Sequence, residues 1–149
     1  MKKTSVPLVI AFTPDYFIPA ATCLYSIITS MQAEGELHVI CLLSEELPER
    51  LKLKIQLIGE GRTCYSFVNL QGKLQHIYID QKYTEAASYR LLLPDLLPEY
   101  KKVIYIDCDI IVRNDLVQLY HSIDLGMNYL AAVFEASCLL YTSPSPRDR

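Results

Sequence analysis

The chain has 149 residues, a length that suits one domain able to bury roughly two thirds of its unfolded surface. With 51% apolar and 21% charged residues it is globular rather than disordered. A net charge of -3 leaves no basic footprint and argues against nucleic acid as the main partner, and no apolar stretch approaches the roughly 20 residues of a transmembrane segment.

The first expected element is a strand at Val6–Phe12. It follows Met1-Lys2-Lys3, which invites a signal-peptide reading. The apolar run is too short for that and ends at Thr13-Pro14-Asp15, so a strand is the reading kept. Phe17, Ala21, Leu24, Ile28 and Met31 then fall on one helical stripe, with Pro19 tolerable in the first turn. Leu37–Leu43 reads as a second buried strand. Ser44 is placed to cap the next helix, with Glu45 and Glu46 at its positive end. The apolar stripe of that helix is Leu47, Leu51, Ile55 and Ile58, and Gly59 and Gly61 end it. A third strand is expected at residues 63–68 and a short fourth at 74–79. A helix from about residue 84 should stop at Pro94. The strand at 103–106 follows, then a helical turn near 116–120 and a last strand at 129–134. Alternation of this kind predicts an α/β, Rossmann-like, mainly parallel sheet, with Val6–Phe12, Leu37–Leu43 and residues 103–106 as neighbouring central strands.

The five cysteines, at 23, 41, 64, 108 and 138, are odd in number and contain no C-x-x-C. They suit a reducing cytosol rather than a disulfide framework or a zinc site. From residue 138 the run CLLYTSPSPRDR has no periodicity and resembles translated sequencing-adapter sequence. Residues 1–137 are therefore expected to form the domain portion and 138–149 a non-native, disordered tail, a natural tail being the alternative. Residues 141–149, with Pro144 and Pro146, are expected to make no packed contacts, and the sheet to stop before a full catalytic domain is built.

The chemistry concentrates in Val103-Ile104-Tyr105-Ile106-Asp107-Cys108-Asp109. An apolar strand running into Asp-x-Asp places two carboxylates at a carboxyl end, where open α/β sheets bind ligands. Such carboxylates are costly to desolvate unless neutralised. In extended chain their spacing puts both on one side, which suits a divalent cation shared with phosphates. The bland alternative is a pair of Asp residues capping a turn. A haloacid-dehalogenase-type phosphatase also has Asp-x-Asp, but on its first strand and with Thr or Val two residues on, where this chain has Ile111.

The stretch YIDCDIIVRNDLVQLY resembles the Asp-x-Asp segment of glycosyltransferase family 8. Residues 10–27, IAFTPDYFIPAATCLYSI, resemble that family's opening strand and helix, and Ser88-Tyr89-Arg90-Leu91 its nucleotide-contacting segment. The resemblance implies a GT-A nucleotide-sugar-binding fold, incomplete at the C-terminus. It implies a retaining hexose transfer from a UDP-sugar donor to a glycan or lipid-linked saccharide acceptor, as in lipopolysaccharide biosynthesis. Asp107 and Asp109 would ligate Mn²⁺ or Mg²⁺. Ala11, Thr13, Asp15 and Tyr16 would line the uridine site, Arg90 would reach the nucleotide, and Cys108 would lie beside the donor. Tyr16 also reads as a core aromatic at a helix start, and Arg90 as a salt-bridging helix residue. The opening loop lacks the acidic-acidic-asparagine run of some members. The family's third metal ligand is a downstream histidine, and none of His38, His76 and His121 has that context. Glu135 is not expected to be catalytic. The implied location is cytoplasmic, peripheral at the inner membrane face for the full-length protein. A catalytically silent nucleotide-binding half-domain is the non-enzymatic alternative.

Overall fold

The structure, a computed structural model, describes residues 5–74 and 85–132. Strand β1 (Val6–Phe12) is buried along its whole length. Period-two alternation splits its side chains between two cores. Val6, Leu8, Ile10 and Phe12 enter one, and Val9 and Ala11 the other. A 3-10 turn at Pro14–Tyr16 leads into helix α1 (Phe17–Ser30). Strand β2 (Leu37–Leu43) pairs parallel with β1, from Val6 opposite Leu37 to Phe12 opposite Leu43. Helix α2 (Glu49–Gln56) and strand β3 (Thr63–Asn69) follow, and β3 pairs parallel with β2. Helix α3 (Glu85–Ser88), a 3-10 turn at Tyr89–Leu92 and helix α4 (Leu93–Leu96) form one winding segment. Strand β4 (Ile104–Asp107) then pairs parallel with β1, and helix α5 (Leu116–Ser122) follows. The sheet order is β3-β2-β1-β4, so the chain winds outward to β3 and then returns to the far side of β1. The first core holds α1 and residues of α2 and α5, and the second holds α3 to α4, so helices cover both faces.

Several sequence expectations are corrected. The face of α1 that is buried is Ala20, Cys23, Leu24 and Ile27, continued by Met31, whereas Phe17, Ala21 and Ile28 are half-buried on its flank. The helix is apolar nearly all round, so periodicity alone does not choose the face; contact with the sheet does. Ser44 caps nothing, and its buried hydroxyl has no hydrogen-bond partner among the described residues. α2 begins at Glu49, after Pro48, because proline disfavours helical geometry in the residue before it. Leu47 is fully buried ahead of the helix rather than within it. Pro94 does not stop a helix but sits in the first turn of α4, where its missing N–H is harmless.

β4 spans residues 104–107 rather than 103–106, and it is an edge strand of the described sheet rather than a central one. Its faces are covered, by Ile104 and Ile106 on the first core and Val103 and Tyr105 on the second, but its residues are only half-buried to exposed. No described strand lies on its outer edge. Residues 129–132 carry no strand, and Tyr129 and Leu130 are exposed. The strand expected at 74–79 has only Leu74 among the described residues, and there it is a turn. His76, residues 133–134, Glu135 and the tail at 138–149 lie outside the described residues.

Candidate functional site

The reversal of strand order puts a topological switch point between β1 and β4, at whose carboxyl ends open α/β sheets bind ligands. Two sequence segments meet there. Ala11 lies opposite Asp107 in the strand register, so the loop after β1 and the Asp-x-Asp leave the sheet side by side. Ala11 is buried, Thr13 half-buried, and Asp15 and Tyr16 exposed. The Thr13 carbonyl accepts the Tyr16 N–H at 2.9 Å, which closes the turn and directs both Asp15 and Tyr16 outward from the sheet end. Tyr16 is 46% exposed and is not a core aromatic.

Arg90 is brought to Asp107 by its neighbour. Tyr89 is fully buried in the second core, which fixes the 3-10 turn against the sheet. The adjacent Arg90 donates from Nη2 to Asp107 Oδ1 at 3.1 Å. Its guanidinium also lies over the Tyr105 ring, 4.9 Å from the centroid. Tyr105 and Asp107 are two apart on β4 and share a face, so one planar cation can cover both.

The two carboxylates are not arranged by strand alternation. β4 ends at Asp107, and Cys108 and Asp109 form a turn. The expectation that extended chain places both on one side is corrected accordingly. Both are solvent-exposed. Burial pushes the Cys108 thiol up, and the carboxylates of Asp109 and Asp107 push it further, so it is a neutral thiol at physiological pH. Burial, helped by Cys108, pushes the neighbouring Cys23 thiol up to about 11.

Two exposed carboxylates offer hard oxygen ligands, and this donor set fits Mn²⁺ or Mg²⁺, which keep positions for water and phosphate. Among the described residues no three His, Cys, Asp or Glu gather into a fuller cluster. His38 is engaged elsewhere: at the amino end of β2 it bonds Tyr100 Oη at 2.6 Å and Ser66 Oγ at 2.7 Å. His121 lies edge-on to Tyr120 on α5.

Sequence reasoning missed the supports of the site. Cys23, Ser26 and Ser30 of α1 contact the backbone at Asp107 and Val112. Asp115, buried, accepts from Gln32 and Ala33 N–H at 2.7 and 2.6 Å and from Val117 and Gln118 N–H at 2.8 and 3.1 Å. It caps α5 and ties the end of α1 to it. The cap was readable as an Asp just before an apolar run, but its reach to residues 32–33 was not.

A parallel sheet with acidic residues at its switch point defines an open α/β protein of the kind that binds ligands at its strand carboxyl ends. Comparison with known proteins specifies the class. The description "Glycosyl transferase family 8" matches residues 7–147, and the chain belongs to that family. General stress protein A of Bacillus subtilis (strain 168) is 25% identical over 140 residues, covering 91% of this chain and 49% of the relative. Among solved structures, the bifunctional glycosyltransferase WbbM in its apo form superposes with a TM-score of 0.70 at 24% identity, over 83% of this chain and 22% of that one. The galactosyltransferase LgtC, in complex with donor and acceptor sugar analogs, gives 0.64 at 21% identity, over 81% and 44%. These two likenesses show the fold, which is of GT-A type. The chain spans about half the length of General stress protein A and less of the two structures. No helix among the described residues is long and apolar enough to cross a membrane.

Proposed function

We propose that this chain carries the donor-binding part of a metal-dependent, retaining hexosyltransferase that takes a UDP-sugar and serves a glycan or lipid-linked saccharide acceptor on the cytoplasmic side of a membrane. The observation that carries the reading is the meeting of Asp107, Arg90 and the Thr13–Tyr16 loop at one sheet switch point. Ala11, small and buried, lets the nucleotide approach the strand end. Thr13 and Asp15 offer oxygens to the nucleoside, and Tyr16 offers an exposed ring for stacking on the base. Arg90 presents a fork of donors to the diphosphate. Cys108, a neutral thiol, borders the donor without adding charge. Asp107 and Asp109 would hold Mn²⁺ or Mg²⁺, which when bound offsets the charge on the departing nucleotide diphosphate.

Arg90 pairs with Asp107 across half-exposed surface; in this reading the guanidinium would turn to the diphosphate oxygens when a donor binds, leaving Asp107 to the cation. Residues 1–137 are proposed as this donor portion and 138–149 as lying apart from it. Acceptor contacts and the third ligand are placed in the length of the relatives that this chain does not span. The 149-residue chain should therefore bind UDP weakly and turn over nothing.

The test is UDP binding followed by NMR, with Mg²⁺ and with EDTA, in wild type and Asp109→Asn. Mg²⁺ should tighten binding above the level seen in EDTA, and Asp109→Asn should bring it down to that level while the fold persists. A version extended to the length of its relatives should transfer hexose from a UDP-sugar with retention, and Asp109→Asn should abolish it. Activity indifferent to EDTA, or equal in the variant, would overturn the reading.

A further inference from the structure

Asp109 lies where the sheet no longer holds the chain. The β4 ladder ends at Asp107, Cys108 and Asp109 turn, and Ile110 and Ile111 are 41% and 63% exposed. A carboxylate that shares a cation with Asp107 must nevertheless stand at a fixed place relative to it. Helix α1 supplies the missing restraint. Cys23, Ser26 and Ser30 follow one edge of the helix at i, i+3 and i+7. The Cys23 thiol lies 3.8 Å from the Asp107 carbonyl oxygen, at the start of the unsupported segment. At its end, Val112 donates its N–H to Ser26 Oγ at 2.9 Å and accepts from Ser30 Oγ at 2.9 Å. Both backbone groups of Val112 are thus satisfied by side chains, as a partner strand would satisfy them. Ser26 also donates to the Cys23 carbonyl at 2.6 Å, so its hydroxyl hydrogen is committed and its lone pairs face Val112.

We infer that Ser26 and Ser30 are positioning residues that set Asp109 against Asp107 for cation binding, by clamping the backbone three residues beyond Asp109. The inference rests on the donor-site reading above and names the part of α1 that makes the Asp-x-Asp competent. Neither serine touches the cation. Their loss would let residues 108–112 spread over several conformations, of which few bring the two carboxylates together. Metal affinity falls by that fraction.

The experiment measures Mn²⁺ binding by the 149-residue chain in the presence of UDP, through water-proton relaxation, beside metal-free UDP binding by NMR. Ser26→Ala/Ser30→Ala should weaken Mn²⁺ binding about tenfold, the scale of outer-shell losses, and leave metal-free UDP binding unchanged. Ser26→Thr keeps a hydroxyl that can still bond the carbonyl three residues back, and should restore near-wild-type Mn²⁺ affinity. Ser30→Ala alone, a milder change, should give a smaller loss in the same direction and decides the matter if the double variant does not fold. Wild-type Mn²⁺ affinity in the alanine variants, with binding lost in Asp109→Asn, would overturn the clamp alone. Equal loss of metal-dependent and metal-free binding would overturn it too, as general unfolding of the site. Mn²⁺ binding that survives Asp109→Asn would overturn the donor-site reading and the clamp with it.

Discussion

Arg90 and Asp115 show how differently a charge can act in this molecule. The Arg90–Asp107 pair is 46% and 54% exposed, so it contributes at most about 1 kcal/mol to folding. Its geometry matters more than its energy, because the same guanidinium stacks on Tyr105. Arg90→Lys keeps the charge but loses the fork and the stacking face. It should leave urea stability within about 0.5 kcal/mol of wild type and weaken Mg²⁺-dependent UDP binding roughly tenfold, both readable in one set of titrations. Asp115 is the opposite case. Burial alone would push its carboxyl up, but the N–H groups of Ala33, Gln118, Gln32 and Val117 outweigh burial and hold it below its ordinary value. Asp115→Ala strands these donors and removes a helix cap, a loss of about 2–3 kcal/mol by urea denaturation. The pH dependence follows from the sign. A depressed carboxyl contributes stability above its unfolded value of 3.8 and loses it as pH falls through the folded value, which lies lower. The stability difference between wild type and Asp115→Asn should therefore be flat from neutral pH to about 4 and shrink below that.

Helix α1 works on two sides at once. Its inner face packs on the sheet, and its serine edge holds the segment after β4. Leu24 is fully buried, and Leu24→Ala should cost about 3 kcal/mol of stability. Ile18, 68% exposed on the same helix, should tolerate alanine within about 0.5 kcal/mol. Urea melts of the two variants test which face is the inner one. The sequence stripe through Ala21 and Ile28 includes Leu24 and Met31 but misplaces the centre of the face by about one residue. Gly59 adds a second constraint at the element scale. Its φ is +72°, and a Cβ there would meet Ile28 Cδ1 at 2.8 Å, so the turn after α2 requires glycine both for backbone and for space. The sequence expectation that Gly59 ends the helix is corrected: α2 stops at Gln56 with Leu57 as its C-cap, and Ile58 and Gly59 lie in the turn beyond.

Across the whole molecule, stability and function separate along the sheet. β1 and β2 are paired on both sides and buried on both faces, whereas β4 is paired only with β1 among the described strands. Native-state hydrogen exchange should find the amides of β1 and β2 slowest, those of β4 faster, and residues 129–132 close to unprotected. Protection of β4 equal to that of β1 would mean that its outer edge is covered in solution. The site sits between a strand paired on both sides and one paired on a single side among the described strands. That arrangement lets a strand held on both sides carry the Thr13–Tyr16 loop, while the Asp-x-Asp segment leans on α1 through Cys23, Ser26 and Ser30.

The sequence by itself determined the near-continuous apolar strands β1 and β2, the order of strands and helices, and the residue types at the site. Buried parallel strands must be apolar on both faces, and a carboxylate pair after such a strand is rare enough to stand out. The resemblance of three ordered segments to glycosyltransferase family 8 was legible too, since two of them join a strand end to polar residues and the third sets Arg90 in a helical segment. Tertiary structure alone decided which face of α1 turns inward, that β4 lies at the described edge, and that Arg90 reaches Asp107 across 17 positions of chain. It alone decided that Ser26 and Ser30 grip Val112 across more than 80 positions. A hydrogen bond between distant residues leaves no periodicity in the chain, because either partner alone is an ordinary polar group that water would satisfy equally well. Only the folded sheet, by bringing the two together and excluding that water, gives the pairing its meaning.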